Sequence, residues 1–342
     1  MKAAVLYKNE SHLKVEDVPI GEPNSKQVKV KIKCCGVCGS DIHITVHKQV
    51  NLKHYPRIMG HEASGVVESC GSEVSKFKVG DRVVISAGTS CGECKHCLAG
   101  NENFCEDVGV LGFDSDGAFA EYLLVEERYL YHLPDTIPFD QGAILADAVS
   151  TPYYALKNAG KMQENETVAI IGCGGLGVHG VALAKALGAH KVIAVDIDSG
   201  ALQHAGMYGA DEVVNVNDIR HIGKTLRDLG NVDLLCDFSG YYKNIEDSLR
   251  AMNSGGRMVL VGIGRNKLNI SMPANIVQKQ ISIIGSLGAN RQSIPELIDL
   301  YTNGKLDLQH SITSHHPLEE VNQCLEDLHH RQGNPIRFII EP

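Results

Sequence analysis

The chain has 342 residues, 43% hydrophobic and 21% charged, with a formal net charge of −9 and eleven cysteines. That length suits two domains with sizeable cores. No apolar run reaches the roughly 18 residues of a membrane span, and no basic block invites nucleic acid or an anionic membrane. The start of the chain reads as a first strand rather than an export signal, so clustered cysteines point to metal ligands and to the cytoplasm, not to a disulfide framework.

Up to about residue 147, short alternating or apolar runs at 28–32, 63–68, 82–85 and 118–125 predict an antiparallel β domain of barrel-like character. Within it stand Cys38, Ser40, Asp41 and His43, then the run Gly60-His61-Glu62. By spacing alone these are only suggestive, because a single Cys or His is more often a packed core residue. Cys91, Cys94, Cys97 and Cys105 are a stronger signal. Four thiolates on one short loop can close a tetrahedron around zinc and leave no position open for chemistry. An iron–sulfur cluster also takes four thiolates, but no second cysteine cluster or other redox machinery accompanies this one.

From about 148 the texture changes to apolar strands alternating with helices, the mark of a parallel sheet covered on both faces. The predicted strands are 167–171, 192–195, 212–216, 233–236, 258–261 and 281–284, with a helix through 182–187. Six strands make a complete dinucleotide-binding fold. Directly after the first come Gly172, Cys173, Gly174, Gly175, Leu176 and Gly177, a G-x-G-x-x-G that opens a helix toward a pyrophosphate. Asp196 ends the next strand, where a carboxylate accepts from both ribose hydroxyls of NAD and repels the 2′-phosphate of NADP. Ser199 is available to cap the helix that follows. The remaining cysteines, Cys34, Cys35, Cys70, Cys173, Cys236 and Cys324, read as small packing residues. The last fifty residues leave the βαβ pattern, and their strand 336–340 is expected to return to the first domain.

Residues 60–65 (Gly-His-Glu-Ala-Ser-Gly), the four-cysteine loop and the glycine fingerprint occur in the order and at the separations of a known group. The chain resembles, along essentially its whole length, the zinc-containing medium-chain dehydrogenase/reductase family of alcohol and polyol dehydrogenases. The resemblance implies a GroES-like β-barrel catalytic domain, 1–147 with 289–342, and a Rossmann cofactor domain, 148–288. It implies two zinc ions per chain. Cys38 and His61 would ligate the catalytic one, with Glu62 beside it or as an exchangeable fourth ligand. The third ligand, usually a Cys, falls here on Asp147, whose oxygen can serve.

By the same resemblance Ser40 takes the alcohol proton and passes it through the cofactor ribose to His43, while Asp41 orients His61. Thr151 would pack on the nicotinamide, Val261, Gly262, Ile263, Ser286 and Leu287 would hold its carboxamide, and Arg337 would neutralise the pyrophosphate. The expected reaction moves hydride between NAD and a primary, secondary or polyhydric alcohol, in a homotetramer or dimer. Its direction and substrate stay open, the pocket being shaped by loops 45–54 and 109–116. A carbonyl reductase of the same family is the near rival. A zinc-ribbon module for nucleic acid is opposed by the acidic charge and the glycine fingerprint. A non-catalytic member is opposed by intact Cys38, Ser40, His43 and His61.

Overall fold

In the strand Gln27–Gly36, Val28, Val30 and Ile32 point into the core while Lys31 and Lys33 face solvent. That alternation makes a half-buried strand. It ends at Cys34, Cys35 and Gly36, all buried, where the strand runs into the interior. The computed structural model describes residues 1–48 and 52–342, so positions 49–51 of the expected pocket loop 45–54 lie outside the described residues. The chain falls into two compact units, Met1–Ser150 with Ala289–Pro342, and Thr151–Gly288.

In the first unit Gln27–Gly36 is the axis of a seven-stranded sheet. One edge pairs antiparallel along its length with Glu62–Cys70. The other edge is shared, Tyr122–Glu126 taking the first half and Arg337–Glu341 the last two residues. The expected return of the C-terminal strand is therefore present. Ile312–Pro317, which the sequence did not announce, lies parallel to it in the same sheet. A three-stranded sheet of Lys14–Asp17, Lys2–Leu6 and Arg57–Ile58 sits apart.

The run 118–125 is a strand only from Tyr122 onward. Its first residues serve a different purpose: the amides of Gly117, Ala118 and Phe119 donate to the carbonyls of Ile58, Gly60 and Met59 at 2.8–2.9 Å. This latch holds the backbone just ahead of His61. Gly60 has φ +94°, and a Cβ there would stand 2.7 Å from the Phe119 nitrogen, so the position requires glycine.

The second unit is a six-stranded parallel sheet in the order Glu212–Asn215, Lys191–Asp196, Thr167–Ile171, Val232–Asp237, Met252–Leu260, Ser282–Gly285. Strand order reverses between the first and fourth strands, the place where open α/β sheets bind ligands at their carboxyl ends. Both architectures read from the sequence are present. The fifth strand starts earlier than expected because Met252 pairs with Val232 before an irregular step. Among the described residues no helix is long and apolar enough to cross a membrane.

Candidate active site and metal centres

Cys38 immediately precedes the helix Gly39–Thr45, and its amide donates to Asp41 Oδ2 at 3.0 Å, which fixes the thiol at the helix start. His61 and Glu62 come from the start of the strand that follows the Gly60 turn. Asp147 lies in Leu145–Val149, a wide π-type turn within a helical run. Such turns push one side chain off the regular spiral and recur at functional sites.

These three elements gather the donors of Cys38, His61, Glu62 and Asp147 within 4.8 Å of one another. Asp147 Oδ2 is 3.8 Å from Cys38 Sγ and 3.7 Å from His61 Nε2. Zinc bonds of 2.0–2.3 Å in a tetrahedron separate neighbouring donors by about 3.4–3.8 Å, so the set fits one ion. The electrostatics agree. Burial works against a charged imidazole, yet Asp41, Asp147 and Cys38 together lift His61 well above its ordinary range. Burial likewise pushes Glu62 up to about 7, against the pull of Arg337. Both oxygens of Glu62 and Nδ1 of His61 are buried without hydrogen-bond partners. A cation among these groups removes the conflict.

The neighbours of the cluster are equally specific. Asp41 Oδ1 lies 3.5 Å from His61 Nδ1. Ser40 Oγ is 3.3 Å from His61 Nε2. His43, one turn further along, sets its Nδ1 3.3 Å from Nδ1 of His47. Arg337 is 1% exposed, donates from Nη1 to the Val37 carbonyl at 2.8 Å, and holds Nε 3.4 Å from Glu62 Oε2. Within this unit it faces Glu62 first, then Cys38 and Asp147.

The four-cysteine loop springs from a short ladder of Gly88–Thr89 with Gly109–Val110. Its sulfurs stand 3.5 Å (Cys94–Cys97 and Cys91–Cys105) and 3.9 Å (Cys91–Cys97) apart. Four Zn–S bonds of 2.3 Å place sulfurs about 3.8 Å apart. All four lie within 4.8 Å of one another, which suits a single ion better than a cluster that interposes several irons. Backbone amides of Glu93 and Cys94 bring the Cys91 thiol down to about 7, toward the thiolate a metal needs.

In the second unit Gly172 has φ +84°, with Ser239 against it, and a Cβ on Gly177 would fall 1.7 Å from the Gly172 carbonyl oxygen. Around Gly174 a Cβ would meet nothing within 4 Å, the open approach a phosphate uses. Gly175 and Leu176 complete the turn before the helix Gly177–Ala186. Asp196 accepts from the amides of Cys173 at 2.6 Å and Asp198 at 2.9 Å, tying this loop to the second strand. The following helix is capped by Asp198, which accepts from the Ala201 amide at 2.8 Å, and not by Ser199; Asp198 immediately precedes the helix, whereas Ser199 is already its first residue. Thr151 is buried. Val261 and Gly262 donate to the Asp237 carbonyl at 2.9 Å, and Ser286 donates to Leu260 at 2.9 Å. Ile197, Ile263 (79% exposed) and Leu287 leave apolar side chains in solvent at the carboxyl ends of the strands.

Two family models match the chain, the alcohol dehydrogenase GroES-like domain over residues 24–135 and the zinc-binding dehydrogenase over 175–303. The chain is 30% identical over 348 residues to the sorbitol dehydrogenase of Bacillus subtilis, covering 100% of this chain and 97% of that one. It is 35% identical over 328 residues to an alcohol dehydrogenase of Geobacillus stearothermophilus, covering 95% of each. The chain belongs to the zinc-dependent alcohol dehydrogenase family. Among solved structures, the 2R,3R-butanediol dehydrogenase of Bacillus subtilis matches with a TM-score of 0.91 at 27% identity, covering 100% of this chain and 99% of that one. As a medium-chain dehydrogenase the protein is an oxidoreductase, exchanging hydride between an alcohol and a nicotinamide cofactor.

Several residues that support the dehydrogenase sites carried no readable signal. His179 Nδ1 lies 2.7 Å from the Gly175 carbonyl and steadies the glycine turn from inside its helix. Asp237 ends the fourth strand and accepts from Ser239 and Gly240, shaping the turn that faces Gly172. Arg291 reaches the Cys97 carbonyl at 2.8 Å and pairs with Glu102, while Asn290 donates to the Gly100 carbonyl at 3.1 Å. These last two brace the cysteine loop from a segment about 190 residues away.

Proposed function

We propose that this dehydrogenase oxidises a small primary, secondary or polyhydric alcohol with NAD in preference to NADP. In this reading Cys38, His61 and Asp147 hold a catalytic zinc, with Glu62 as a reserve fourth donor. Cys91, Cys94, Cys97 and Cys105 hold a structural zinc, giving two per chain. The observation that carries the reading is the buried quartet of donors with the Ser40 hydroxyl 3.3 Å from His61. A zinc ion there supplies Lewis acidity toward the alcohol hydroxyl, and the dinucleotide supplies the hydride acceptor.

The chain's own groups do the rest. Ser40 Oγ accepts the hydroxyl proton, and His43 releases it to solvent. Asp41 sets the ring of His61 from its Nδ1 side. Arg337 sets its charge against Glu62 in a dry environment, and by family likeness it also neutralises the pyrophosphate. The turn Gly172, Gly174, Gly175, Leu176 and Gly177 takes the pyrophosphate, and Asp196 selects the ribose without a 2′-phosphate. Thr151, Val261, Gly262, Ile263, Ser286 and Leu287 border the nicotinamide. None of the eleven cysteines forms a disulfide, which supports a reducing compartment, the cytoplasm. By family likeness the assembly is a homotetramer or a dimer.

The test is NADH formation by zinc-replete protein offered sorbitol, 2,3-butanediol and ethanol. Turnover is expected with at least one of them, and Asp147→Ala should lower it by about 10³-fold, the several kcal/mol a Lewis acid contributes, while the melting curve stays close to wild type. Absence of turnover in either direction with either cofactor overturns the reading.

A further inference from the structure

At the carboxyl end of the parallel sheet three turns lie backbone on backbone. They follow the neighbouring strands Thr167–Ile171, Val232–Asp237 and Met252–Leu260. A Cβ on Gly172 would stand 2.7 Å from the Ser239 nitrogen, and one on Gly262 would stand 2.3 Å from the Gly240 nitrogen. On Gly264 it would fall 1.8 Å from the Gly240 carbonyl oxygen. Approaches this close leave no side chain between the turns to hold them. Residues of the segment 237–242 fasten them from its two ends. At the first end Asp237, 0% exposed, accepts from the Ser239 amide at 3.1 Å, its hydroxyl at 2.6 Å and the Gly240 amide at 3.1 Å. This fixes the residue that faces Gly172.

At the other end the half-buried Tyr242 is the decisive observation. Its hydroxyl donates to the Gly262 carbonyl at 3.1 Å and accepts from the Gly264 amide at 3.3 Å. One phenol oxygen thus closes the turn around Ile263, whose exposed side chain gives that turn no packing of its own. A hydroxyl that donates and accepts at once polarises both bonds in the same sense. We propose that Tyr242 is a positioning residue for hydride transfer: it fixes the Val261–Ile263 turn and, with it, where the nicotinamide ring is held. The inference rests on reading that turn as the border of the nicotinamide. In this role the hydroxyl acts through the backbone of Gly262 and Gly264. The two ends of one segment then serve the two halves of the cofactor. Ser239 shapes the turn for the pyrophosphate, and Tyr242 the turn for the ring.

The experiment uses zinc-replete protein and two ligands that share adenosine and pyrophosphate, NADH and ADP-ribose, the second lacking the nicotinamide. Affinities are read by calorimetry. Single-turnover hydride transfer is followed at saturating NAD with an alcohol that wild type oxidises. Tyr242→Phe removes only the hydroxyl. It should bind ADP-ribose within about twofold of wild type and NADH about three- to tenfold more weakly, the size of a lost hydrogen bond or two. Its saturated hydride transfer should slow by about threefold or more, because the ring is less well placed. Ser239→Ala, at the other end of the segment, should weaken both ligands by similar factors. A merely structural residue would lower the melting temperature without separating the two ligands, and that result overturns the proposal. An unchanged hydride-transfer rate in Tyr242→Phe overturns it as well. Wild type that neither binds NADH nor turns over would overturn the reading of the whole site, whereas an active wild type beside an unaltered Tyr242→Phe removes the role of Tyr242 alone.

Discussion

Asp196 holds two tasks in one carboxylate. Its oxygens secure the amides of Cys173 and Asp198, and in the proposed reading its charge repels a 2′-phosphate. Asp196→Gly with Ile197→Arg should therefore move the ratio of kcat/KM toward NADP by about tenfold or more, and the efficiency with NAD should fall further than lost repulsion alone explains. Asp196→Asn separates the two effects, because it keeps an acceptor for the loop while removing the charge. A double variant that still prefers NAD as strongly as wild type refutes the assignment. In the proposed relay Ser40 and His43 divide the proton between them. His43→Gln should slow single-turnover oxidation at neutral and lower pH, and the deficit should shrink as hydroxide takes over. Ser40→Ala should cost about 10²–10⁴ in rate across the range. Equal single-turnover rates for His43→Gln and wild type at every pH would remove His43 from the path.

The four-cysteine loop is a structural element with no apolar core of its own; Leu98 and Phe104 are exposed on it. Its closure depends on thiolate geometry and on Arg128, Arg291 and Asn290 holding its carbonyls. Cys105→Ser should lower the melting temperature by about 5 °C or more, since each kcal/mol is worth roughly 2–4 °C in a domain of this size, while the protein that stays folded keeps most of its kcat. Loss of kcat without loss of stability would contradict a structural role. This loop and the glycine turn were legible in the sequence because their partners are neighbours in the chain, so spacing alone encodes the geometry. The strands of the parallel sheet were legible for a related reason, their buried runs being continuous. The contact between Arg337 and Glu62, the latch of 117–119 on 58–60, and the bonds of Tyr242 to Gly262 and Gly264 were not. Each joins segments whose proximity is decided by the sheet and helix packing, and nothing local in either segment points to the other. Asp147 lay between these cases: the family likeness supplied its position, and the wide turn that carries it came only from the fold.

On the scale of the whole molecule, the two proposed metal centres differ in closure. The cysteine group offers four donors from one loop; the other draws its donors from three separate elements. Dialysis against a chelator should accordingly remove one zinc quickly, with loss of activity and little change in melting, and the second slowly, with loss of the fold. A single phase that removes both at one rate contradicts that division. The first unit is also interrupted in sequence, since Arg337–Glu341 completes the sheet begun by Gln27–Gly36. A ribosome must make all of the second unit between those two strands, a delay on the order of ten seconds. Throughout that interval Glu62 waits for Arg337, and the end of its neighbouring strand waits for a partner. Cys91 and Cys105, only 14 residues apart, face no such wait. The donors for the proposed structural ion stand together before Arg291 and Asn290 arrive to brace their loop, whereas the surroundings of the proposed catalytic ion are completed only when Arg337 reaches Glu62.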